Sequence, residues 1–383
     1  MFIELHTIQN FSPANLNRDD TNNPKDCEFG GYRRARISSQ SLKRAIRFEP
    51  VFADTTQAKN GERSKWMTRP IKKQLIVAGK TEEEASKVAS SFVEAYASKM
   101  DSKKPNKTAV LIYFSQEEIA TVVNSLLENW DDALIIAQSG KKLDKLATPL
   151  IKATQDRTSA PDIALFGRML AEKPTLNIDA ACQVAHAIST HRINMEMDFY
   201  TAVEEIKDLE EDADEGAGAA MMGFTNFNSA CFYRYVRIDW RQLVSNLGGD
   251  KALAQRTVEG FLRAAIDAIP TGKQNSFAAQ NPTSMAMAVV RKDGKSWNLA
   301  NAFEMPVYAS GKSGLITPSI EALDSYWDDI TTRRDDATLE TIAVWTDSTA
   351  HEQALDALKG HHHLKLNEWA TAVTHTLPTN EEA

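Results

Sequence analysis

The chain has 383 residues, 42% apolar and 25% charged, with a net charge of -8 at neutral pH. This suits one large globular domain with insertions, or two to three smaller ones. No apolar run reaches membrane-spanning length, and the opening MFIELHTIQNF lacks the basic start and long apolar core of a secretion signal, so no membrane partner and a cytoplasmic location are expected. Net negative charge argues against coating nucleic acid over the whole surface, but it leaves room for a local cationic groove. Cys27, Cys182 and Cys231 are odd in number and widely spaced, which argues for reduced thiols rather than a disulfide framework or a zinc site.

Residues 1–9 alternate as a strand, with Ile3, Leu5 and Thr7 on one side. A polar loop rich in Asn, Asp and Pro leads to Gly30 and Gly31. Between Tyr32 and Arg47 the chain then places Arg33, Arg34, Arg36, Lys43, Arg44 and Arg47 with no acidic residue among them. Ser38 and Ser39 are N-cap residues for a short helix over Gln40 to Arg47. On it Leu42, Ala45 and Ile46 form an apolar face, while Gln40, Lys43, Arg44 and Arg47 form a cationic one. Free amides at the helix start and the glycine pair beside it make an anion site suited to a polyphosphate chain. The order of a P-loop is absent. A solvated basic helix is the plain alternative.

From about residue 57 to 171 the pattern is mainly helical, notably 81–100 after a Thr cap and 115–130 after Ser115, with a short strand-like run at 110–114. An inserted helical subdomain is expected. Residues 180–194 read as a strand returning to the main sheet, and 195–224 as a hairpin-like excursion. That excursion carries Met195, Met197, Phe199 and Tyr200 at one end, eight acids between Glu204 and Glu215, and Met221, Met222 and Phe224 at the other. Its apolar side chains either pack the loop onto the core or wedge between bases. Further strands are expected at 229–239, 285–291 and 342–346, and helices at 249–268 and 317–330, an α+β arrangement.

Asp19 and Asp20 are adjacent, so on extended backbone they point apart and make a poor two-metal pair. His186 and His191 lack a paired acid motif, and His361 to His363 read as a surface feature.

The quoted blocks resemble the type I-E CRISPR Cascade backbone subunit, the CasC family. They are Asn17-Arg18-Asp19-Asp20, Phe29-Gly30-Gly31, the basic strand Arg33 to Arg36, and Ser38 to Arg44 (SSQSLKR). PDIALFGRM at 161–169 and PTGKQNSFAAQNP at 270–282 extend the likeness, which is thin in the helical insertion and the last forty residues. It implies a modified RRM or ferredoxin-like palm at 1–54, 180–194 and 225–383, with a helical finger at 55–179 and a thumb at 195–224. It further implies a non-catalytic subunit, without cofactor or metal, that polymerises head to tail along a guide RNA and presents it to target DNA beside other Cascade subunits. Guide contact would fall to Asn17, Arg18, Lys25, Arg36, Ser38, Gln40, Lys43, Arg44, Arg47, Lys273 and Gln274. Base contact would fall to Met169, Phe199 and Tyr200, and Arg168 would serve the guide backbone. Two alternatives stand beside it: a type III-like ribonuclease using Asp19 or Asp20, and a monomeric single-stranded RNA module.

Overall fold

The computed structural model describes residues 1–202, 221–309, 311 and 313–378. The acid run after Ala202 and the GAGAA segment fall outside the described residues. In chain order the strands are β1 (Phe2–Ala14), β2 (Asp26–Phe29), β3 (Tyr32–Ile37), β4 (Glu62–Ser64), β5 (Met100–Asp101), β6 (Lys104–Thr108), β7 (Ile112–Phe114), β8 (Cys182–Val184), β9 (Ala187–Ser189), β10 (Glu196–Ala202), β11 (Met221–Asp239), β12 (Met285–Arg291), β13 (Leu339–Thr346) and β14 (His362–His363). Ten of these described strands share one sheet, in the order β14-β13-β12-β1-β11-β9-β3-β2, with β8 and β10 also paired to β11. Its pairings are antiparallel except that of β13 with β14.

The central strand alternates as its sequence requires. Ile3 and Leu5 face one layer, with Ala286, Ala288 and Val290 of β12 and the helices Lys251–Asp267 and Leu366–Thr374. Ile8 faces the other, with Met285, Met287 and Val289 and the helix Ile316–Arg334. Helices therefore cover both faces of a mixed sheet, and the α+β class holds. The single strand expected at 180–194 is instead two short ones. Val184 pairs with Val236 but Ile188 with Tyr233, so one extra residue bulges between them and turns His186 outward.

The helical region has its own core, built on Met67, Phe92, Val93, Leu126 and Leu176 among others. Two of its helices start where side-chain caps dictate. The Thr81 side chain accepts from the Glu84 amide to open Glu82–Tyr96, and Ser115 with Glu118 forms a reciprocal capping box for Gln116–Glu128. The first helix stops earlier than expected because residues 100–108 turn back as the β5–β6 hairpin.

This lobe is joined to the sheet by a buried ion pair. The Arg47 Nε lies 2.8 Å from Asp162 Oδ2, and its Nη2 donates to the Gly61 carbonyl at 3.1 Å. The Tyr113 hydroxyl also donates to Asp162, and the Arg47 guanidinium sits 4.8 Å from the Tyr113 ring centroid. A second buried pair, Glu4 with Arg291, anchors β1 to β12, and Arg291 also pairs with Asp336. Beside it His6 is fully buried, its Nδ1 2.8 Å from the Tyr233 hydroxyl.

Burial pushes His6 down to about 3, so the folded protein holds it neutral while the unfolded chain takes up a proton near its ordinary value of 6.5. The unfolded state binds more protons, so this stability is full above pH 6.5 and falls as pH drops towards 3. Lowering the pH from 7 to 5 should cost about 2 kcal/mol through His6. In urea unfolding, His6→Gln should lack that part of the loss; an equal loss in both proteins would contradict it. Arg47→Ala should cost roughly 3 kcal/mol, because it strands the buried Asp162 carboxylate. A small shift in the urea midpoint would show that the lobe is held elsewhere.

Candidate nucleic-acid interface

The loop after β1 folds around one carboxylate. Asp19 Oδ1 accepts from the Thr21 amide at 2.9 Å, the Thr21 hydroxyl at 2.8 Å and the Asn23 amide at 2.9 Å. The Thr21 hydroxyl, foremost, holds the Asp19 carboxyl below its usual range. Asn22 takes the left-handed conformation at φ 71°, and its side chain accepts from Arg18 Nη1 at 2.8 Å. Asn17 closes the loop: its carbonyl accepts from the Lys25 amide at 2.9 Å and its Oδ1 from the Ser38 amide at 2.8 Å. It thereby ties the loop to the start of the helix Ser39–Phe48, where the Ser38 hydroxyl accepts from the Ser41 amide.

These elements enclose a cavity of about 370 Å3, lined by Asn17, Arg18, Asp19, Asn22, Ser41, Arg44 and the turn Pro270–Gly272. Gly272 is required there, since a Cβ would overlap the Leu16 carbonyl. Arg18 and Arg44 bring two cations to one concavity although 26 positions separate them. Beside it Lys25 and Arg36 form a second cationic pair with His186. Arg36 Nε donates to the Asp26 carbonyl at 3.1 Å, and Nη1 lies 2.8 Å from His186 Nδ1. Partial burial, then Arg36 and Lys25, lowers the His186 pKa, so the ring is neutral and accepts from Arg36. Gln40 is exposed on the same helix, and Lys273 follows Gly272 in a left-handed conformation at φ 50°.

Other residues sit differently from the sequence reading. Arg47 does not join the cationic face: it is 8% exposed and committed to Asp162. Arg34 is wholly buried and bonds only carbonyls, those of Phe29, Ser189, Phe303 and Glu304. Arg168 is buried on Glu118 Oε1 at 2.7 Å. Lys43 turns to the Phe166 ring, 5.6 Å from its centroid. Gln274 turns inward, its Nε2 donating to the Pro270 carbonyl at 3.1 Å and closing the turn that holds Lys273. Gly30 and Gly31, both at positive φ, form the two-residue β2–β3 turn, and Gly30 is pressed on the Glu304 carbonyl rather than left open to a ligand.

The β10–β11 hairpin projects an apolar stripe. Phe199 pairs with Phe224 and Thr201 with Met222, so Met197, Phe199, Met222 and Phe224 lie on one face. All four are exposed, Phe199 by 60%, and they do not pack onto the core. Tyr200 lies on the opposite face, across Gly223. Met169 is 86% exposed and stands at a cavity of about 530 Å3 with Arg63, Leu111, Tyr113 and Phe166. The structure thus groups Arg18 with Arg44, and Lys25 with Arg36, and keeps the exposed apolar residues on separate elements.

Residues not anticipated include Asn22 and Ser41, which line the first cavity, and Phe48, which is exposed beneath the Arg44 guanidinium at 5.0 Å. Ser41 follows Ser38, and Phe48 follows Arg44, at helical spacings that a sequence shows. Asn22 depends on a turn that it does not.

The chain matches a protein-family model described as CT1975-like protein over residues 3–372. It is similar, at 29% identity and a TM-score of 0.84, to a chain of a structure described as a CRISPR RNA-guided surveillance complex, pre-nicking, covering 99% of this chain and 100% of that one. A second such complex gives 24% identity and a TM-score of 0.74, over 98% of this chain and 100% of the other, a likeness of fold alone. No curated protein matches. With a family model covering nearly all of its length, the chain belongs to the CT1975-like protein family.

Proposed function

We propose that this chain is the RNA-coating backbone subunit of a CRISPR surveillance complex of type I-E. The observation that carries the reading is the end-to-end likeness, at 29% identity, to a chain of a CRISPR RNA-guided surveillance complex. The sheet order β12-β1-β11-β9, with the helices Ser39–Phe48 and Lys251–Asp267 between these strands in sequence, supports a ferredoxin-like palm. The helical lobe is then the finger and the β10–β11 hairpin the thumb.

In this reading Arg18 and Arg44 hold guide phosphates, with Lys25, Arg36, Lys43 and Lys273 adding positive potential along the strand. Asn17 and Ser38 fix the loop and the helix start. Such contacts position RNA without reading its sequence, which is left to pairing of the guide with target DNA. Phe199, Tyr200 and Met169 are apolar surfaces against which bases rest or unstack. Copies associate head to tail, a heterologous contact that extends into a filament alongside other subunits of the complex. The chain makes and breaks no covalent bond in this role; Asp19, engaged by three donors, serves the loop.

Nuclease digestion of the complex purified from cells tests the reading. Protected RNA fragments that step by one fixed increment per copy are expected; no RNA, or fragments without a step, would sink it. Arg44→Glu should weaken single-stranded RNA binding at every sequence and flatten the slope of log K against log salt by about 0.7 for each lost phosphate contact. An unchanged slope would place the phosphate path elsewhere.

A further inference from the structure

Asn15 is fully buried, just beyond the bulge where β1 leaves β11. Its Nδ2 donates to the carbonyl of Asn22 at 3.0 Å and to the carbonyl of Asn226 at 2.9 Å. Both partners are acceptors only, so the nitrogen end of the amide, not its oxygen, must face them. The first carbonyl belongs to the left-handed turn residue whose side chain holds Arg18. The second belongs to β11, on the strand that carries Met222 and Phe224 outward. Asn226 reaches back through its own amide to Asn23 Oδ1 at 2.7 Å. The Asn15 carbonyl lies beneath Gly272, where a Cβ would come within 2.7 Å.

The Asn15 amide therefore joins the cationic loop to the root of the apolar hairpin, beside the Asn226–Asn23 bond and against the turn that precedes Lys273. The Asn15 Oδ1 is buried and without a hydrogen-bond partner among the described residues. A desolvated oxygen is unfavourable, so burial alone favours an apolar side chain of the same size at this position. What asparagine adds is the two-carbonyl reach.

We propose that Asn15 is a positioning residue that locks the hairpin to the cationic loop, so that RNA seated on Arg18 meets the Phe199–Phe224 face at a set distance and angle. The proposal rests on the RNA-coating reading above.

The test is a double-mutant cycle in the full chain, with fluorescein-labelled single-stranded RNA as the probe. Arg18→Ala and Phe224→Ala are measured singly and together, first in the wild-type chain and then in an Asn15→Leu background. Leucine keeps the branched heavy-atom skeleton, removes the orphaned oxygen and cannot bridge the two carbonyls. In the wild-type chain the double variant should differ from the product of the single effects by more than about twofold, the low end of coupling within a connected network. In Asn15→Leu the effects should multiply, while the thermal melting transition stays cooperative. Clean multiplication in the wild-type chain overturns the proposal, as does coupling that persists in Asn15→Leu. If the leucine variant fails to fold, Asn15→Ser, which is too short to reach both carbonyls, takes its place under the same criteria. Failure of the wild-type chain to bind RNA would instead refute the coating reading, and this proposal with it.

Discussion

Strand β11 is nineteen residues long and belongs to two structures at once. Its later part is buried between β1 and the β8–β9 strands, while its first residues pair only with β10 and stand in solvent. The ladder to β1, continuous from Phe2–Asp239 to Phe11–Ala230, sets the direction in which the hairpin leaves the sheet. A hairpin of two strands is marginal alone in water. This one is rooted because its longer strand is fixed by a core on both faces, and because Asn15 and Asn226 bind its base to the loop after β1.

The same economy governs charge. The block from Arg33 to Arg47 is uniformly basic, yet the fold divides it by depth. Arg34 and Arg47 go inside, where a guanidinium's planar fork matches several oxygens: carbonyls for Arg34, and the Asp162 carboxylate with the Gly61 carbonyl for Arg47. Arg18, Arg36 and Arg44 stay at or near the surface, each with an uncharged neighbour: the Asn22 amide, His186 and the Phe48 ring. Such partners orient a cation without neutralising it. Arg33, by contrast, spends its charge on Asp26. The concavity that Arg18 and Arg44 line also holds the Asp19 carboxylate, so an acidic chain keeps there a net excess of one cation.

Much of the fold was legible because local rules decide it. The expected strand at 285–291 is β12, residue for residue, since every one of its side chains is buried and the run is apolar up to Arg291, whose charge is met by Glu4 and Asp336. Ser38, Thr81 and Ser115 opened helices where their side chains could accept an amide, and the capping box at Ser115 is visible as S-x-x-E. The return at 180–194 was less legible: the bulge between β8 and β9 arises from pairing with β11, and nothing in AACQVAHAIS marks it. Among the candidate residues, Arg18 and Arg44 were readable as cations but not as neighbours. Gln274 was expected at the guide and is instead the clamp of its own turn.

Composition, periodicity and capping chemistry are properties of short stretches of chain, so the sequence by itself determined the element types, the α+β class and the presence of a basic block. Depth and partnership are not local. Arg47 and Arg44 lie three residues apart on one helix, and only the arrival of Asp162, 115 positions later, draws one inside and leaves the other beside the cavity. Asn15 is one polar residue among several in an Asn-rich loop until β11 brings the Asn226 carbonyl within 2.9 Å of it, across 211 positions. A buried donor needs an acceptor at bonding distance, and tertiary structure alone decides which acceptor that is.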